Sequence, residues 1–312
     1  MLLLVVVGTF FLLEAASGDA VDAYLASIGG GDAEMVASLR AAYGLDQSMW
    51  SRLWLYLSAL ARLDLGYSVA FGRPILALIL ERLPNTLWLM GSATVLSVGL
   101  GTALGILAGA RPGSGTDKAL SIGSLALYAV PSFWLALVLV IVFAVDLHWL
   151  PIAGIETIAS SKTGFARAAD IARHLVLPVS ALGFIYLALY LRMMRAGMAG
   201  VWRQDFIMAA RARGLPRRRI VLAHVARNAL LPLVTMLGLQ SAQMLGGSVV
   251  IESVFSVPGL GRLAQEAVAG RDTPLLLGII LVSAVTVVLI NLAVDIAYAL
   301  LDPRVGANEA AA

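Results

Sequence analysis

At 312 residues, 60% hydrophobic and only 13% charged, the chain is too apolar for an ordinary soluble domain. Its mean hydropathy of +0.90 leaves room for five or six membrane spans of roughly 20 apolar residues each. The net charge of +3 hides an asymmetry: nine Arg against Asp205 between Arg192 and Arg227 make +8 there and about −5 elsewhere. That division, with no basic–aromatic interleaving, speaks for membrane topology and against nucleic-acid binding. Without cysteine there is no disulfide, thiolate or Cys-ligated metal chemistry.

In chain order, MLLLVVVGTFFLL is apolar for 13 residues and then meets Glu14, short of a full crossing. Residues 1–16 are expected to be a first transmembrane helix whose start is missing or misassigned. A signal peptide is the weaker reading, because there is no basic n-region and Ala15-Ala16-Ser17 makes a poor cleavage site. Residues 17–85 read as an extracytoplasmic, interfacial helical region. Glycines 29–31 interrupt it, and amphipathic helices are expected from Ala33 to Tyr43 and from Ser48 to Leu63. Trp50, Trp54 and Tyr56 suit the headgroup zone.

Clearer spans follow at about 86–110, 118–145, 174–196, 229–250 and 275–301, within a core of 86–304 and ahead of a short cytoplasmic tail, 305–312. The expected fold is therefore an all-α integral membrane protein of about six transmembrane helices. By the positive-inside rule, loop 111–118, the Arg-rich loop and Arg304 lie in the cytoplasm with both termini. Loops 146–173 and 251–274, with three acids each, fall on the other side. Ser97, Gly101, Gly105 and Gly109 repeat every four residues, a spacing that lets helices approach closely. Pro131 should kink the third span.

The densest information lies in the loop 197–228. Asp205 to Arg213 suits a short helix, Gly214 and Pro216 break it, and a second amphipathic helix starts near Arg217. Ile220, Val221, Val225 and, at the margin, Leu222 form its apolar side. Two helices meeting at a glycine on a membrane face make a knuckle that fits a groove of a soluble partner.

The run AARARGLPRRRIVLAHVARNALLP resembles the "EAA" loop of ABC importer permeases, in the dipeptide/oligopeptide/nickel version. Ala209, Ala210 and Gly214 match its Ala-Ala-x-x-x-Gly core and Leu231-Pro232 its end, while Met208 stands where the name-giving Glu would be. The segments YGLDQ (43–47), LDLGYS (63–68), ERLPNTL (81–87), VPSFWLAL (130–137), HLVLP (174–178), VFSVPGLGRL (254–263) and NLAVDIAYALLDPR (291–304) are similar to that group in the same order. The resemblance implies a binding-protein-dependent permease of the bacterial or archaeal cytoplasmic membrane, paired with a homologous second permease. Two cytoplasmic ABC ATPases would drive it and an extracytoplasmic substrate-binding protein would supply it. Loop 203–216 would be the coupling element, with Asp205, Ala209, Ala210, Gly214, Leu215, Arg217 and Arg218 as ATPase-coupling residues. ATP is then used by the partners, and no GxxxxGK[ST] occurs in this chain, which is not expected to be an enzyme or to hold a cofactor.

Gln240, Gln243 and Asn291 are candidates for lining the pathway, and interhelical hydrogen bonding accounts for them equally. Asp295, near a helix end, reads as structural. His148, His174 and His224 lack metal-ligand spacing, and no metal or catalytic residue is expected. A self-contained secondary transporter or channel is the alternative; it would need mid-membrane charges or inverted repeats of its own. Peptides are the favoured cargo, with glutathione-like molecules, opines and nickel chelates left open.

Overall fold

A computed structural model describes residues 2–14, 21, 30, 32–42, 46–158 and 162–301. Glycines 29 and 31, the first three residues of YGLDQ, and residues 302–312, with Arg304 and the tail, lie outside them. The described chain is helical: α1 Leu2–Glu14, α2 Ala33–Ala42, α3 Met49–Leu60, α4 Ile75–Ala110, α5 Gly115–Ala129 and α6 Ser132–Leu139. Beyond these come α7 Gly164–Val201, α8 Asp205–Ala212, α10 Leu231–Val254, α11 Leu260–Ala269 and α12 Thr273–Leu301. Between α8 and α10 runs α9, made of Arg217–Arg219, a π-helical Ile220–Ala226 and Arg227–Ala229. Four helices, α4, α7, α10 and α12, are long and apolar enough to cross a membrane, and α5 with α6 makes a fifth if taken as one span. Apolar α1 is shorter.

The chain divides into two units, residues 1–86 with 258–288 and residues 87–257 with 289–312. In the first, Ile75, Leu78 and Ile79 of α4 share a core with Leu260 and Leu263 of α11 and Leu275 and Ile279 of α12. This packing explains why α4 starts at Ile75 and runs unbroken past Pro84, so residue 86, expected as a boundary, falls inside a helix. Asp272 is fully buried and accepts hydrogen bonds from Ser68 Oγ (2.5 Å), Ala70 N (3.0 Å) and Leu275 N (3.1 Å). It thereby ties the Tyr67–Pro74 bridge to the start of α12. Asn85 Nδ2 donates to Pro258 O (2.7 Å) and Leu260 N to Thr86 Oγ1 (2.8 Å), so two segments of the family-like pattern meet. In α3, Trp50 and Trp54 are exposed. Tyr56 is not: its ring stacks on Phe10 of α1, and Arg52 pairs with Glu14 at 2.6 Å.

In the second unit, α4 lies against α7 through its glycines. A Cβ at Gly101 would stand 2.8 Å from Leu187 O, at Gly105 2.6 Å from Met194 Cβ, and at Gly109 2.8 Å from Met198 Cβ. At Pro131 the expected kink is a full break: α5 ends at Ala129, Pro131 N-caps α6, and the two helices are bent by 101°. Helix α7 begins ten residues before the span expected from 174. Its first turns are held by Asp170, which accepts from Thr157 N (2.7 Å), Thr157 Oγ1 (2.9 Å) and Lys162 Nζ (2.6 Å).

Candidate coupling site and pathway residues

The knuckle is built by local chain chemistry. Asp205 stands in the first turn of α8 and Arg211 in the last, each favoured there by the helix dipole. Leu215 N donates to Ala210 O (3.3 Å) and Gly214 N to Arg211 O (2.9 Å). This is a Schellman closure, and it puts Gly214 at φ +71°, where a side chain is disfavoured. Pro216 then N-caps α9.

Long-range packing holds the knuckle in place. Ile207 and Ala210 are buried in a cluster with Tyr190, Met194, Met198, Ile220, Val221 and Val225, and Leu215 packs on its edge. Asp205, Phe206, Met208, Ala209 and Arg213 are exposed, Met208 at 71%. The two family-like alanines thus part company: Ala210 faces inward and Ala209 outward. Ile220 and Val225 align because the π-helix bonds five residues apart. Leu222, expected at the apolar margin, is exposed at 48%.

Arg217 and Arg218 also part company. Arg217 Nη2 donates to Ala110 O (2.9 Å), and Trp202 Nε1 donates to Gly109 O (2.8 Å), so the open carbonyls at the end of α4 are satisfied from the knuckle. Arg211 and Arg217 both lie near the Trp202 ring, at 5.2 and 6.0 Å from its centroid. Arg218 and Arg219 are exposed. The role of Trp202 was missed in the sequence, since its partner carbonyl is 93 residues away.

The three pathway candidates do not converge. Gln240 is buried (5% exposed), and its Oε1 has no hydrogen-bond partner among the described residues. Gln243 is exposed. Asn291 Oδ1 accepts from Ser241 Oγ (3.3 Å) and lies 2.9 Å from where a Cβ of Gly238 would be, an interhelical bond across a close contact. Asp295 is exposed. His174 is buried with Nδ1 2.8 Å from Asp170 O, while His148 is exposed and His224 half-buried. No group of three His, Cys, Asp or Glu able to hold a metal occurs among the described residues.

Two arginines of α7 were read only as part of the basic loop. Arg195 grips Asp117 with two donors, Nε to Oδ1 and Nη2 to Oδ2 (2.9 Å). Asp117, expected in the short basic loop 111–118, is 1% exposed in the first turn of α5. The Ser114-to-Asp117 spacing is the available signal: Asp117 N donates to Ser114 Oγ (3.2 Å) and Gly113 N to Asp117 Oδ2 (2.8 Å). Arg192 lies over the Tyr128 ring, its Cζ 4.5 Å from the centroid.

Long apolar helices, a sharply bent helix pair and a packed knuckle with an exposed outer face define a polytopic helical membrane protein. Residues 101–307 match the family described as binding-protein-dependent transport system inner membrane component, and the chain belongs to that family. It is 36% identical over 299 residues to the oligopeptide transport system permease protein AppB of Bacillus subtilis (strain 168), covering 95% of this chain and 92% of that one. It is 35% identical to the di/tripeptide transport system permease protein DppB of Pseudomonas aeruginosa (strain UCBPP-PA14), with the same coverage. Among solved structures, an inward-facing MetNI methionine ABC transporter chain aligns with a TM-score of 0.58 at 18% identity. That alignment covers 73% of this chain and 97% of the other, a likeness of fold alone.

Proposed function

We propose that this chain forms half of the translocation pathway of an ATP-driven importer of di- or oligopeptides, with a homologous permease as the other half. The carrying observation is the likeness over nearly the whole chain to relatives named as oligopeptide and di/tripeptide permeases. In this reading the knuckle is cytoplasmic, and α8 docks in a cleft of an ABC ATPase through Asp205, Phe206, Met208 and Ala209. Gly214 and Leu215 set its angle and Arg218 meets an acidic rim. The packing of Ile207 and Ala210 supports it, because a docked helix moves the spans only if it is rigidly joined to them. ATP binding on the partners draws the knuckle with them and biases the spans between two arrangements. An extracytoplasmic binding protein delivers the peptide.

The test is purification of tagged chain from native membranes, then uptake by the reconstituted complex. ATPases and a second permease are expected with the wild type, the ATPases are expected to be lost with Gly214→Pro, and vesicles should take up peptide only with ATP and binding protein. Absence of any ATPase under conditions that preserve membrane complexes refutes the coupling role. ATP-dependent uptake of another solute, with peptides excluded, refutes the cargo.

A further inference from the structure

The Arg192–Tyr128 pair has an unusual position. Arg192 stands nine residues before Val201, the end of α7, or about 13 Å of helical rise. Tyr128 stands thirteen residues after the start of α5, about 20 Å along it. Side chains on helices lean toward their own N-termini. Arg192 therefore reaches away from the Arg-rich end and Tyr128 leans back to meet it, with Cζ 4.5 Å from the ring centroid. The contact lies just below the 101° bend that follows Ala129.

The guanidinium thus sits well inside the α5–α7 pair rather than at its Arg-rich end. The neighbouring Arg195 is neutralised by Asp117, and that carboxylate is fully engaged by Arg195, Gly113 and Ser121. Arg192 has no ion pair among the described residues, and its buried Nε has no hydrogen-bond partner there. The ring holds the cation and orients it without discharging it, while Tyr128 itself is 51% exposed. A fixed, undischarged cation there suits an anion that arrives transiently.

We propose that Arg192, positioned by Tyr128, is a specificity-determining residue that receives the C-terminal carboxylate of a peptide as it passes the bent span. This rests on the peptide reading above and adds to it the chemical group recognised inside the membrane. Arginine presents two parallel N–H donors to a carboxylate, whereas an amide offers no charge to meet them.

The complete transporter, reconstituted with its ATPases, second permease and binding protein, would be given trialanine or trialanine amide, each at a concentration saturating the binding protein. Wild type should transport the acid at least about tenfold faster than the amide. Arg192→Gln should erase that preference by slowing the acid alone, and Arg192→Lys should keep part of it. Tyr128→Phe should retain the preference and Tyr128→Leu weaken it; this pair carries the test if Arg192→Gln does not assemble. Equal slowing of both peptides, or an intact preference in Arg192→Gln, overturns the proposal. Running each variant in phosphatidylcholine vesicles with and without phosphatidylglycerol separates the sources of anion. A variant effect that appears only with the anionic lipid, and equally for both peptides, assigns Arg192 to a lipid phosphate and overturns it too. Uptake of neither peptide by wild type removes the peptide reading and this proposal together, whereas loss of the acid–amide contrast alone removes only the proposal.

Discussion

Asp117 and Arg195 are joined by a two-pronged ion pair that fastens the start of α5 to the last third of α7, with the carboxylate buried and the guanidinium partly open. The pair sets how these helices cross, and so where Tyr128 meets Arg192. Removing the cation leaves a buried carboxylate with only Gly113 N and Ser121 Oγ as donors. Arg195→Gln should therefore destabilise the protein by about 3 kcal/mol, the low end for breaking a buried pair, because Arg195 is partly hydrated. The double variant Asp117→Asn with Arg195→Gln should recover much of that loss. Thermal unfolding in detergent reads both, and a double variant no better than Arg195→Gln alone would refute the pairing account.

The glycines of α4 make a second, sharper contrast. A Cβ at Gly105 would lie 2.6 Å from Met194 Cβ and 2.8 Å from the backbone oxygen of Leu191, whereas a Cβ at Gly99 meets nothing within 4 Å. Gly105→Ala should cost about 1–3 kcal/mol by forcing α4 and α7 apart. Gly99→Ala should be neutral or slightly stabilising, since alanine is the better helix former. Equal unfolding temperatures for the two variants would show that this close approach does not exist.

At the knuckle, conformation and contact can be separated. Nothing crowds Gly214, yet its φ is +71°, so Gly214→Ala should cost about 1–2 kcal/mol of local backbone energy. Gly214→Asn, which tolerates that region, should cost less. Arg217→Ala strips a donor from the Ala110 carbonyl and should lower stability as well as coupling. Arg218→Ala, at an exposed site, should weaken ATPase association with no change in unfolding temperature. Peptide-stimulated ATP hydrolysis beside thermal unfolding distinguishes the two, and the assignment fails if both arginines behave alike.

The elements visible in the sequence are those written in local chemistry. Gly214 and Pro216 fixed the break after α8 because each restricts or frees its own backbone. The glycine stripe of α4 was legible because one face of a helix repeats every three to four residues. The helix starts at Ile75 and Gly164 were not legible: residues 17–85 read as a separate interfacial region and 146–173 as a loop, whereas Ile75 packs on distant segments and the start of α7 is tied by the bonds Asp170 accepts from Thr157 and Lys162. The π-winding of Ile220–Ala226 moved Leu222 outward for the same reason, since a local 3.6-residue period cannot anticipate it.

What the sequence determined by itself was the membrane-spanning class, the family and the position of the knuckle, because apolar runs, charge asymmetry and turn residues act over a few neighbours. Only the tertiary structure decided which of several like residues is engaged: Arg217 over Arg218, Gln240 inside and Gln243 outside, Arg195 neutralised and Arg192 not. Each distinction depends on a partner from another helix, such as the Ala110 carbonyl, Asp117 or Tyr128. A residue's charge and spacing are local, but whether that charge is met is settled by packing between helices.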